Sequence, residues 1–157
     1  LLADGFLPNF GFGFRDNFYA QDFNFDKDIK RLTLQSSSLD ATNPNLKAFF
    51  ESNGKLIMWA GLADPLVLPQ QSVDYFNSVK DLYGEQTNNF FKLFLVPGMG
   101  HCWEIDSRIP DQMSMLTALE NWVEKNISPE FVPINNINKD AKIVDGLLRP
   151  YPLLAEY

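Results

Sequence analysis

Two short apolar runs do most to limit what this chain can fold into. Lys55 to Ala60 reads KLIMWA between Gly54 and Gly61, and Asn89 to Val96 reads NFFKLFLV before Pro97-Gly98 breaks it. Runs this short and this continuously apolar are the pattern of strands buried on both faces of a parallel sheet, where no solvent face imposes alternation. Between them Pro69 opens a stretch in which Val73, Phe76, Val79 and Leu82 recur every three residues until Gly84. Proline at the start and glycine at the end bracket that stretch as a helix. Strand, helix and strand with short links predict an α/β class with parallel strands and flanking helices.

The rest of the chain follows less sharply. A helix is expected from about Pro110 to Lys125, with Met115, Leu116, Leu119, Trp122 and Val123 as its core-facing stripe. Asn43 with Pro44 is expected to cap a helix that ends at Asn53-Gly54. Asp26 and Asp28 suit the positive end of a helix continuing to about Gln35, followed by a Ser36-Ser37-Ser38 loop. After Pro129 the Asn- and Pro-rich chain is expected to wrap the surface. Residues 1–25 carry Phe6, Phe10, Phe12, Phe14, Phe18, Phe23 and Phe25 with no regular period, and are read as looped chain packed on a core or lining a pocket for a flat aromatic ligand. Residues 26–157 form the α/β portion, with no internal repeat.

Composition excludes several function classes. A chain of 157 residues can bury roughly 70% of its unfolded surface, and 45% hydrophobic with 21% charged residues argues against disorder. A net charge of -7, with 13 Lys and Arg scattered singly, excludes a nucleic-acid binder. No apolar stretch approaches the ~20 residues of a membrane-spanning helix. Asp22, Asn24, Asp26 and Asp28 have calcium-loop spacing, but Lys27 stands at the sixth position and Thr33 at the twelfth, so no metal or cofactor is indicated. Asn126-Ile127-Ser128 is a glycosylation triplet, followed by Pro129. The chain opens at Leu1 without Met and holds one cysteine, Cys102, and the expectation is that it is part of a longer protein.

Chemistry is expected just after the two strands. Gly61-Leu62-Ala63-Asp64-Pro65 follows the first, and Pro97-Gly98-Met99-Gly100-His101-Cys102 follows the second. In open α/β sheets ligands bind beyond the carboxyl ends of the strands, which sets Asp64 and His101 on one rim. A serine hydrolase needs such a pair: the carboxylate fixes the imidazole tautomer, and the other ring nitrogen takes the serine proton and later protonates the leaving group. The order nucleophile, acid, histidine in α/β hydrolases puts the serine upstream. No G-x-S-x-G elbow occurs in the chain, and Ser52, Ser72, Ser78, Ser107, Ser114 and Ser128 all fall on expected helices or loops.

The segments Gly54 to Pro65 and Val96 to Cys102 resemble the acid and histidine loops of the tannase and feruloyl esterase family. Weaker likenesses lie at Phe23-Asn24-Phe25-Asp26-Lys27-Asp28, Ala41 to Leu46 and Arg149-Pro150-Tyr151-Pro152. The resemblance implies the C-terminal part of an α/β-hydrolase fold, with the lid domain and the nucleophile-bearing half absent. Residues 1–25 would then be the return from a lid insertion. It implies a serine carboxylic-ester hydrolase, extracellular or periplasmic, acting on esters of aromatic acids such as gallate, hydroxycinnamate or terephthalate. Asp64 would orient the base, His101 would be the base, and Cys102 would be half of a disulfide to a cysteine beside the nucleophilic Ser. That Ser and Cys would lie on an upstream segment or a second chain, leaving this chain inactive alone. The other reading is a non-catalytic α/β fragment or pseudoenzyme that binds an aromatic ligand or a partner chain. A sheet without its upstream strands exposes an edge, so the isolated chain is expected to associate.

Overall fold

The computed structural model describes residues 2–12, 18–101, 112–137, 143–153 and 155. The chain forms two compact units, Leu1–Asn43 and Pro44–Tyr157.

In the first unit residues 2–11 and 20–22 of the Phe-rich segment are helical where looped chain was expected. α1 (Leu2–Phe6) runs into a wider turn of π type over Leu7–Gly11. Aromatic packing replaces apolar period as the organising force. The Phe12 ring lies 4.7 Å from Phe18 and 6.2 Å from Phe23, Phe23 lies 5.0 Å from Phe25, and the Arg31 guanidinium sits 4.3 Å above Phe12. Asn24 organises the following turn, its side-chain oxygen accepting from the amides of Asp26 and Lys27 at 3.0 and 3.1 Å. Asp28 accepts from the Asn24 amide at 2.9 Å and pairs with Arg31 at 2.9 Å. A 3₁₀ turn, Ile29–Leu32, then leads into α2 (Thr33–Leu39), which contains the three serines assigned to a loop. Ser36 donates to Asp40 one turn on, so a polar run that suggests a loop closes on its own helix instead.

The second unit holds the strands foreseen. α3 (Lys47–Glu51) starts later than the Asn43-Pro44 signal, with Leu46 at its cap position, and ends where Asn53 takes φ 60°. β1 (Leu56–Gly61) and β2 (Phe91–Val96) pair in parallel, from Leu56 opposite Phe91 to Gly61 opposite Val96. α4 (Pro69–Tyr83) crosses between them and stops at Gly84, whose φ is 57°. Phe76 and Val79 of α4 are buried and Val73 packs beside them, but Leu82 is 60% exposed. A three-residue spacing slips about 60° around the helix at each step, so a stripe centred on Phe76 and Val79 has left the core by Leu82.

β2 is buried at every residue. Phe91, Leu93 and Leu95 pack with Phe76, Val79 and Phe90 on one side. Phe94 and Val96 pack on the other with Met99, Met115, Val132, Ile134 and Leu148. This second cluster needs elements that the sequence did not announce. β3 (Gln112–Met113), β4 (Val132–Ile137) and β5 (Ile143–Leu148) form an antiparallel sheet in the order β3-β4-β5. After Pro129, β4 and β5 therefore supply core through Val132, Ile134 and Leu148 where surface wrapping was expected. α5 (Met115–Lys125) begins later than Pro110 and buries Met115 and Trp122, whereas Leu116 and Val123 are 69% and 56% exposed.

β1 differs from β2 in a way that matters for the site. It was expected to be buried on both faces, yet it is only half-buried and Trp59 is 48% exposed. The far edge of β2 is met by the chain end, through a bridge from Phe94 to Pro150 and a 2.7 Å bond from the Tyr151 amide to the Leu93 carbonyl. Among the described residues β1 pairs with β2 alone. Phe94→Ala should destabilise the chain by about 3–5 kcal/mol in denaturant unfolding, and Leu116→Ala by roughly 0.5 kcal/mol or less. Equal losses would contradict the assignment of Phe94 to the core.

Candidate active site

The ends of β1 and β2 are stitched together before any side chain is considered. The Leu62 amide donates to the Val96 carbonyl at 2.9 Å and the Ala63 amide to the Met99 carbonyl at 3.0 Å. Gly61 makes this approach possible, because a Cβ there would stand 2.5 Å from the Gly100 carbonyl oxygen and closer still to that of Met99. Gly98, at φ 74°, turns the second loop back towards the first. Backbone geometry thus sets Asp64, three residues past β1, beside His101, five residues past β2.

The two side chains meet. His101 Nδ1 lies 2.8 Å from Asp64 Oδ2. The other carboxylate oxygen, Oδ1, accepts from the amides of Leu66 at 2.8 Å and Val67 at 3.0 Å. Both oxygens of Asp64 are therefore occupied, and its side chain is only 9% exposed. Burial pushes the Asp64 pKa up, but the Val67 amide, the His101 ring and the Leu66 amide together more than reverse this, and the carboxyl titrates below its ordinary value. Asp64 is accordingly ionised at neutral pH. An ionised carboxylate only accepts, so Nδ1 of a neutral His101 ring carries the proton and Nε2 is left with its lone pair. The imidazole is 44% exposed, so this nitrogen can be reached. The arrangement can take a proton from a hydroxyl brought to Nε2 and return it to a leaving oxygen.

A hollow of about 170 Å³ adjoins the pair and is also lined by Trp59, Val67, Ser72 and Met99. These four were not foreseen as site residues. Trp59 and Ser72 could have been found from periodicity, since Trp59 stands two residues before Gly61 at the strand end and Ser72 lies in the first turn of α4. Ser52 and Ser78 donate to backbone carbonyls of Phe49 and Asp74, each at 2.8 Å. Ser114 and Ser128 line a larger groove of about 500 Å³ along α5, which is not lined by the Asp64–His101 pair. Cys102 and Ser107 lie outside the described residues. Asp22, Asn24, Asp26 and Asp28 are engaged in turn-forming bonds, and no cluster of metal-binding side chains occurs among the described residues.

Gly61→Ala should force the two loops apart, costing about 1–3 kcal/mol of stability and weakening the Asp64–His101 bond. Gly5→Ala, where a Cβ would meet nothing within 4 Å, should be neutral or slightly stabilising. Thermal unfolding of both variants checks this, and an unperturbed Gly61→Ala protein would contradict the crossing described.

Comparisons with known proteins give the chain's family. The family profile described as "Tannase and feruloyl esterase" matches residues 8–157. A probable feruloyl esterase of Arthroderma benhamiae is 32% identical over 156 residues, covering 90% of this chain and 29% of that protein. The mono(2-hydroxyethyl) terephthalate hydrolase of Piscinibacter sakaiensis is 32% identical over 148 residues, covering 86% of this chain and 24% of its own length. Among solved structures, feruloyl esterase B from Aspergillus oryzae superposes with a TM-score of 0.80 at 20% identity, covering 95% of this chain and 32% of that one. The chain thus has the fold of part of these esterases and spans about a third or less of their length. With a family match over nearly its whole length, this chain belongs to the tannase and feruloyl esterase family and descends from ester hydrolases.

Proposed function

We propose that this chain is the C-terminal portion of a serine carboxylic-ester hydrolase acting on esters of aromatic acids, and that Asp64 and His101 are two members of its triad. The observation that carries the proposal is the 2.8 Å bond between them at the adjoining ends of two parallel strands. In the mechanism, His101 Nε2 takes the proton of a serine hydroxyl as the oxygen attacks the ester carbonyl. The imidazolium, stabilised by ionised Asp64, then protonates the departing alcohol. Water repeats the cycle to release the acid.

The serine and a neighbouring cysteine lie, in this proposal, on an upstream segment or a second chain, and Cys102 forms a disulfide with that cysteine. The partially exposed β1, with one edge unpaired among the described residues, supports docking of such a segment beside the catalytic rim. Without it the chain offers no covalent acceptor and is inactive. An oxidising, extracellular or periplasmic location suits the disulfide. No described helix is long and apolar enough to cross a membrane. The aromatic-acid substrate class is supported by the names of the relatives, which include feruloyl and terephthalate-ester hydrolases.

The test is intact mass of the natively produced protein, with and without reductant, after treatment with a fluorophosphonate. The expected result is a probe-labelled polypeptide that contains this chain or is joined to it through Cys102. An unlabelled species of 17.9 kDa with a free thiol would overturn the proposal and favour a non-catalytic or pseudoenzyme role.

A further inference from the structure

The sequence holds one Asn-x-Ser/Thr triplet, Asn126-Ile127-Ser128, which the esterase chemistry does not use. Its place in the fold is specific. α5 ends at Lys125, and Asn126 closes it in the left-handed conformation, φ 57° and ψ 30°. The last turn is held by backbone and by Lys125, which donates to the Asn121 side chain at 2.7 Å. The Asn126 carboxamide is not used in this cap: the residue is exposed, and its side chain makes no hydrogen bond among the described residues. Ile127 is 58% exposed. Residues 126–129 belong to no helix or strand.

Asn126 also lies far from the chemistry. It shares a hollow of about 380 Å³ with Lys55, Asn88 and Asn89. Lys55 immediately precedes β1, and Asn88 and Asn89 end the turn before β2. Asn126 is therefore at the amino ends of the strands, and Asp64 and His101 are beyond their carboxyl ends. Six residues of strand at about 3.3 Å each separate the two ends by roughly 20 Å.

We infer that Asn126 is an acceptor for an N-linked glycan, on the face of the sheet unit opposite its catalytic rim, when the protein passes through a eukaryotic secretory pathway. The co-reactant is an oligosaccharide carried on a lipid pyrophosphate. Asn126 Nδ2 forms a bond to the sugar C1, the C1–oxygen bond to the pyrophosphate breaks, the lipid pyrophosphate departs, and the amide gives up one proton. Folding then leaves the glycan in solvent, with no native hydrogen bond lost and the site unobstructed.

The experiment is secretion of the protein from a yeast, followed by mass analysis of the Asn126 peptide before and after peptide-N-glycosidase F. The expected result is a glycan-bearing peptide that the enzyme converts to one with an aspartate side chain in place of the asparagine. Exchange of the amide NH₂ for OH leaves that peptide about 1 Da heavier than the unmodified one. Asn126→Gly, which suits a left-handed cap, and Ser128→Ala, which keeps Asn126, should both abolish the modification without altering secretion or folding. Secreted wild-type protein with an unmodified Asn126 peptide would overturn the inference. So would a glycan that persists in Ser128→Ala.

Discussion

Six consecutive parallel pairings between β1 and β2 fix everything that bears on the site. They bring the two strands to an end at the same level, Gly61 opposite Val96, so the loops that follow leave from adjacent points. Missing side-chain bulk at Gly61 then lets those loops share backbone hydrogen bonds rather than splay apart. Asp64 and His101 are consequently brought side by side by the backbone, and the 2.8 Å bond joins them there. A site built this way is preorganised: its carboxylate is already fully hydrogen-bonded, so little reorganisation is needed when a proton moves to the ring.

Burial is distributed unevenly around that pair of strands. β2 lies between two apolar clusters, one built on α4 and one on β4, β5 and α5, with the Pro150-Tyr151 segment along its outer edge. β1 has the composition of a central strand but only half the burial of one. An apolar strand left partly open, with an exposed tryptophan, is a liability for an isolated domain and an asset for one that receives further strands. The proposed arrival of the nucleophile along this edge makes one interface serve both stability and catalysis.

The sequence made the parallel strands, α4 and the loops carrying Asp64 and His101 legible because each has a sharp local signature. Continuous apolar runs have few alternative structures, and Pro69 and Gly84 act on the backbone directly. The β4–β5 hairpin was not legible. Pro133, Asn135 and Asn136 are poor strand formers, and Val132, Ile134 and Leu148 are held in place by Phe94 and Met115, residues distant in sequence. The helix through Ser36-Ser37-Ser38 and the helical turns among the phenylalanines escaped for a related reason: hydrogen bonds such as Ser36 to Asp40 and ring packing decide them, and neither has a period. In the site, Asp64 and His101 were readable from their loops, whereas Val67 and Met99 emerged only once β1, α4 and the second loop were brought together.

The central claim is that this chain already holds a working acid–base pair, and the protein's single histidine makes it directly measurable. Nitrogen-15 NMR of the imidazole, at a pH where the ring is neutral, reports which nitrogen carries the proton. The account predicts an Nδ1–H tautomer with a bare Nε2 and a protected, downfield Nδ1 proton that disappears in Asp64→Ala. An Nε2–H tautomer, or a spectrum unchanged by Asp64→Ala, would contradict it.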